Sequence, residues 1–182
     1  MTRSPARPSG SGDPQRALLE AAIEGDGVAL TELVRQTQPV VWSVCRALGT
    51  PGEEADLVQE TYLRALRSLG SYRGDAPPRA WLLSIARNVC ADHVRRRQRQ
   101  RRLLDKLERH ADFGDVAPAD SVDDLLDALH PERREAFVLT QYVGLGYDEA
   151  AAVIGCPVGT IRSRVSRARG DLLAAMQVAE AQ

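Results

Sequence analysis

The stretch GCPVGTIRSRVSRARGDLL, residues 155–173, decides how the chain is read. From Gly155 to Arg169 it carries four arginines and no acid, in a chain whose formal net charge is only −1. Ile161 and Val165 stand four apart, and Ala168 and Leu172 continue the same side, which predicts a helix with one buried stripe. Arg162, Ser163, Ser166, Arg167 and Arg169 fall on the other faces. Just upstream, YDEAAAVIG (147–155) predicts a short helix ended at Gly155. A short helix, a tight glycine-containing turn and a basic helix are the parts of a helix-turn-helix, whose second helix enters the DNA major groove. Arginine suits that place because its fork bonds guanine O6 and N7 together. Gly159 and Thr160 offer backbone N–H groups and a hydroxyl to a phosphate. A solvated basic face on an ordinary amphipathic helix is the plain alternative, and the preceding helix and turn weigh against it.

Composition sets the frame around that motif. The 182 residues are 43% hydrophobic but only 4% aromatic, and Ala and Leu dominate the apolar set. That balance predicts an all-α protein, with apolar material for one ordinary domain or two small helical ones. The basic residues are arginine except Lys106, a bias attributable to genome composition. Cys45, Cys90 and Cys156 lie far apart in sequence, and with His93, His110 and His130 they make no metal-ligand spacing. No metal or other cofactor is expected. Unpaired thiols suit small core residues in a reducing cytoplasm, with redox sensing as the sharper alternative. No segment has signal-peptide or membrane-spanning character, so no membrane insertion is expected. The absence of a nucleophile–base constellation or a glycine-rich phosphate loop speaks against an enzyme.

Upstream, residues 1–14 are basic and rich in Pro, Gly and Ser, which predicts a disordered tail. Helical runs follow around Ala17, Leu18, Ala21 and Ala22, around Leu30, Leu33 and Val34, and in PVVWSVCRALG up to Gly49. Gly49 reads as a left-handed helix stop. Thr50 as N-cap, Pro51 at the first helical position and Glu53 as capping-box partner mark the next helix start. GSYRGDAPP (70–78) reads as a loop, and Pro77 or Pro78 opens a helix with Trp81, Leu82, Ile85, Val89 and Val94 as its buried stripe. The organisation predicted is a first domain over 15–104, a linker over 105–120, and a second domain over 121–178 with Ser121 as a weak cap.

Three stretches carry a family resemblance. GLGYDEAAAVIGCPVGTIRSRVSRAR resembles the region 4 helix-turn-helix of the extracytoplasmic-function (ECF, group 4) sigma factors of bacterial RNA polymerase, in the sigma-70 family. EEADLVQETYLRAL resembles their polymerase-binding helix in region 2, and SYRGDAPPRAWLLSIARNVCADHVRRRQR resembles their promoter-melting and minus-ten segments. The motifs stand in the family's order over residues 16 to 175. The end GCPVGTIRSRV is similar to the actinobacterial sigma C subgroup in particular.

The resemblance implies a promoter-specificity subunit that binds core RNA polymerase, recognises minus-ten and minus-thirty-five elements, and helps to open DNA. Asp56, Leu57, Gln59, Glu60, Thr61 and Arg64 would dock on the coiled coil of the largest polymerase subunit, and the second domain would meet the flap region. Alone, Glu60 and Arg64 would read as a surface i,i+4 pair. Tyr72, Arg73, Gly74, Asp75 and Ala76, with Asn88 and Asp92, would take a flipped minus-ten base. Trp81 reads first as a packing residue and second as facing the strand. His93, Arg95, Arg96 and Arg97, continued by Arg99, Arg101 and Arg102, would follow duplex phosphates, contacts that give affinity with little sequence information. Thr160, Arg162, Ser163, Ser166 and Arg167 would read the minus-thirty-five element. Pro77 and Pro78 replace an aromatic that relatives often carry, which leaves a stacking platform poorly furnished. Gly146 replaces a usual serine cap, which predicts a looser helix start.

In that frame the near-neutral charge conceals a division, with acids on the polymerase-facing helix and in the linker (Asp105, Glu108, Asp112, Asp115) and arginines at the two DNA-facing helices. The linker acids would imitate nucleic acid in the polymerase channel. An anti-sigma factor is a further partner that the resemblance allows. A stand-alone helix-turn-helix regulator with a dimerising or ligand-binding N-terminal domain stays open as the competing reading.

Overall fold

The computed structural model describes residues 13–107 and 122–180. Among the described residues eight α-helices build two helical units: α1 Pro14–Ile23, α2 Gly27–Leu48, α3 Glu54–Ser68 and α4 Pro78–Leu107, then α5 Val122–Asp127, α6 Pro131–Phe137, α7 Tyr147–Ile154 and α8 Val158–Glu180. Most of the expected tail and linker, with Glu108, His110, Asp112, Asp115 and the Ser121 cap, lies outside the described residues. Asp13 caps α1 by accepting from Gln15 N at 3.0 Å, and α4 runs through Leu107.

The two runs either side of Pro39 form one helix. Asp26 caps α2 through Val28 N and Ala29 N, and Leu33, Thr37, Val41 and Val44 keep a single buried stripe past the proline. Pro39 itself is exposed, and continuity of the buried face outweighs its missing N–H. Gly49 ends α2, but not as a left-handed cap: its φ of −87° and ψ of −161° are extended. A Cβ there would lie 2.3 Å from both the Cys45 carbonyl oxygen and Leu57 Cδ1, so glycine is required by close approach. The helix start read at Thr50 is likewise displaced. Residues 50–52 turn, and α3 begins at Glu54, whose carboxylate accepts the Gly52 N–H at 3.0 Å.

Helix α4 is buried along Ala80, Leu82, Leu83, Ala86, Val89 and Cys90, while Trp81, Ile85 and Val94 are only partly covered. This arc is rotated from the expected stripe because α4 packs against α2 and α3 and also against α7 of the second unit. Cys45 and Cys90, distant in sequence, meet as buried thiols between α2 and α4; the hydrogen bond to Cys45, reinforced by burial, pushes the Cys90 thiol up.

In the second unit α6 widens into a π-helical turn over Val138–Tyr142, with Val143 N donating to Val138 O at 2.8 Å. Gly146 is the N-cap of α7, and the Glu149 carboxylate reaches back to accept the Gly146 N–H at 2.8 Å. That half of a capping box holds the start that the lost serine predicted to be loose. Gly155, at φ +78°, closes α7 in the left-handed conformation and turns the chain into α8. Ile161, Val165 and Ala168 are buried as expected.

The core is continuous through both units, from Val41 and Leu83 to Leu139 and Ile161. Polar contacts reinforce the boundary: Arg87 forks onto Glu135, Arg134 Nε donates to Ala47 O at 2.6 Å, and Arg79 Nη2 donates to Val143 O at 2.5 Å. No helix among the described residues is long and apolar enough to cross a membrane.

Candidate nucleic-acid interface

Helix α8 sorts its side chains by burial. With Ile161, Val165 and Ala168 in the core, Arg162, Ser163, Ser166 and Arg167 emerge together into solvent, and Thr160 sits half-buried beside the helix start. Ser163 Oγ donates to Thr160 O at 2.9 Å. The four arginines of the stretch are not equivalent. Arg164 turns back onto Glu132 at 2.8 Å and onto the Cys156 sulfur at 3.8 Å, and Arg169 Nη2 bonds Gln141 Oε1 at 2.6 Å. Arg162 and Arg167 have no hydrogen bond or ion pair among the described residues, so their forks are available to an outside acceptor.

The loop 72–77 enters α4 in a fixed shape. Tyr72 OH donates to Ala76 O at 2.6 Å, and the Tyr72 ring meets Trp81 edge-on at 5.4 Å between centroids. Trp81 thus packs against the core and the loop together. Gly74 takes φ +77°, and its carbonyl accepts from Arg16 Nη2 at 2.8 Å. Arg73 and Asp75 between these fixed points are exposed.

Along α4, Asn88 is exposed and accepts from Arg87 Nη1 at 3.0 Å. Asp92 receives Arg64 Nη1 at 2.8 Å and Arg95 Nη2 at 2.7 Å, and these cations, Arg64 foremost, hold its carboxyl below the usual range. His93 abuts Glu53, and Arg97 bonds the same carboxylate at 3.0 Å. Of the residues assigned to phosphates, Arg96, Arg99, Arg101 and Arg102 are exposed, whereas His93 and Arg97 are directed at the start of α3.

On α3, Asp56 and Gln59 are exposed beside Leu63 and Leu66, an apolar pair open to solvent at 40% and 44%. Leu57 and Thr61, expected near the docking seam, are buried at 3% and 0% exposure, and Thr61 Oγ1 donates to Leu57 O at 2.7 Å. Arg64 is shared between Glu60 at 2.7 Å and Asp92, so it joins α3 to α4 instead of standing free. Sequence reasoning passed over Arg16 and Leu66. Arg16 gives no local signal because its partner lies 58 residues away, whereas Leu66 could have been found by following Gln59 and Leu63 one turn on. Among the described residues no group of three or more His, Cys, Asp or Glu side chains could hold a metal ion.

Two family models match the chain, Sigma-70 region 2 over residues 33–100 and Sigma-70, region 4 over residues 119–172. A probable RNA polymerase sigma-C factor of Mycobacterium bovis is 44% identical over 165 residues, covering 87% of this chain and 89% of the relative. The ECF RNA polymerase sigma-E factor of Escherichia coli is 31% identical over 171 residues, covering 85% and 90%. Among solved structures, CnrH in complex with the cytosolic domain of CnrY superposes with a TM-score of 0.73 at 32% identity, covering 91% of this chain and 99% of that one. The sigma factor RpoE of Bartonella quintana, solved with the anti-sigma factor NepR, gives 0.66 at 29% identity, covering 82% and 97%.

Proposed function

The chain belongs to the ECF sigma factors of the sigma-70 family, and from that premise we propose how its surfaces divide the work of transcription initiation. Helix α8 reads the minus-thirty-five element through Arg162, Ser163, Ser166 and Arg167, with Thr160 on a phosphate. Loop 72–76, with Asn88 reaching from α4, receives an unstacked base of the minus-ten element, and the exposed arginines of α4 follow the backbone. Helix α3 docks on the coiled coil of the largest polymerase subunit through Asp56, Gln59, Glu60 and the open Leu63–Leu66 pair, while the second unit meets the flap region. The subunit acts in the cytoplasm and contributes no catalytic group of its own. An anti-sigma factor of the kind seen on the Bartonella relative is a candidate partner for the same surfaces.

The observation that carries this reading is on α8: the core stripe and the internal pairing of Arg164 and Arg169 leave one polar face with two arginine forks that have no partner among the described residues. In vitro transcription with purified core polymerase tests it. Start sites are expected only when both are present, and a Gln59→Ala, Glu60→Ala variant is expected to lose holoenzyme on gel filtration while remaining folded. Footprinting of a palindromic operator by the protein alone, with no effect on core polymerase, would overturn it.

A further inference from the structure

Arg16 lies in the first turn of α1, outside the span matched by the region 2 model, yet its side chain reaches the loop assigned to the minus-ten base. Its Nη2 donates to Gly74 O at 2.8 Å. The guanidinium lies against the turn itself: a Cβ on Gly74 would stand 3.5 Å from Nη1 and 3.6 Å from Nη2. Gly74, at φ +77°, thus presents its carbonyl to α1 and leaves no side chain between backbone and guanidinium. Further ties on the same loop are Tyr72 N on Leu69 O at 3.2 Å, Tyr72 OH on Ala76 O and the Tyr72 ring on Trp81. All three come from residues 69–81, which adjoin the loop in sequence. Arg16 reaches the loop from 58 residues away, and it acts between the exposed Arg73 and Asp75.

We propose that Arg16 is a positioning residue for base capture: it fixes the Gly74 turn so that Arg73 and Asp75 project in the arrangement that accepts the unstacked base. The inference rests on the assignment of loop 72–76 to the minus-ten base. A loop already ordered does not lose conformational freedom when the base enters, so capture is stronger than with a free loop. Arginine suits the task because it keeps its charge and offers several donors in one rigid fork, one of which suffices for the carbonyl.

The test uses reconstituted holoenzyme and two promoters, one intact and one abasic at the captured minus-ten position. Open complexes are followed by a fluorescent base analogue beside that position. Wild-type protein is expected to favour the intact promoter, and Arg16→Ala to cut that preference about three- to tenfold, the scale of one hydrogen bond, with core-polymerase affinity unchanged. Arg16→Lys, which keeps the charge and one donor, is expected to fall between them and serves if Arg16→Ala does not fold. An undiminished preference in both variants would overturn the proposal alone. No preference in wild-type protein would overturn the loop assignment and the proposal with it. A lowered affinity for core polymerase would make Arg16 a structural residue of α1 and likewise overturn it.

Discussion

Arg87 of α4 and Glu135 of α6 face each other as a forked pair across the boundary between the two helical units, with Nη2 3.2 Å from Oε2 and both side chains partly buried. The hydrogen bond to Glu135 raises the Arg87 pKa. Glu135→Gln leaves the arginine charge without its counterpart, and the docking of the units is expected to weaken by about 1–3 kcal/mol. Small-angle scattering should show a larger radius of gyration for this variant. Adding Arg87→Met should recover much of the loss, since removing both partners costs less than orphaning one. An unchanged radius in Glu135→Gln would show that the apolar contacts alone hold the units together.

Arg162 and Arg164 stand two residues apart on α8 and are expected to fail differently. Arg162→Ala should reduce discrimination among minus-thirty-five sequences by roughly 1–3 kcal/mol at the base it reads. Arg164→Ala removes the contacts to Glu132 and Cys156, with an expected cost of about 0.5–1 kcal/mol in stability and none in base preference. Binding to a panel of single-base variants, beside thermal melts, separates the two.

Gly49→Ala should be among the costly glycine substitutions although the residue sits in a connection. The added methyl meets a backbone oxygen that cannot move aside and the Leu57 side chain, and overpacking of this kind costs about 1–3 kcal/mol. The urea midpoint should fall accordingly, and an unchanged midpoint would mean that the end of α2 shifts freely.

Asp92 links folding to acidity. Arg64 and Arg95 depress its carboxyl pKa in the folded chain, so the protein binds this proton less readily folded than unfolded. Its contribution is therefore present above the ordinary carboxylate value of about 4 and disappears as pH falls through the lower folded value. Asp92→Asn should lose stability at neutral pH and converge on the wild type in strong acid. Denaturation curves collected across that range would show parallel profiles if the two arginines contribute nothing through Asp92.

The sequence and the structure agree most closely where determinants are local. Gly155 and the Ile161–Val165–Ala168 spacing define the turn and the last helix because the left-handed glycine and the helical repeat are encoded within a few residues. The reading failed where distant chain segments decide. Thr50, Pro51 and Glu53 have good capping chemistry, but the approach of Leu57 to Gly49 forces a turn first. The stripe of α4 rotated because a helix from the second unit covers it. A motif placed Leu57 and Thr61 near the docking seam, and how deeply the packing of α3 buries both depends on helices far along the chain. Arg64 and Asp92 were given to different ligands and proved to bind each other, a pairing 28 residues apart that no local pattern announces.

Internal engagement of Arg164 and Arg169 also bears on how α8 behaves in different ionic strengths. Each phosphate neutralised on duplex DNA releases about 0.9 of a condensed counterion. With Arg164 and Arg169 engaged internally and Arg162 and Arg167 assigned to bases, this helix should steepen the fall of log affinity with log salt only slightly, where four phosphate-bound arginines would have steepened it by about 3.6. Less of its binding energy then comes from counterion release, which any DNA supplies, and a larger share from the promoter bases.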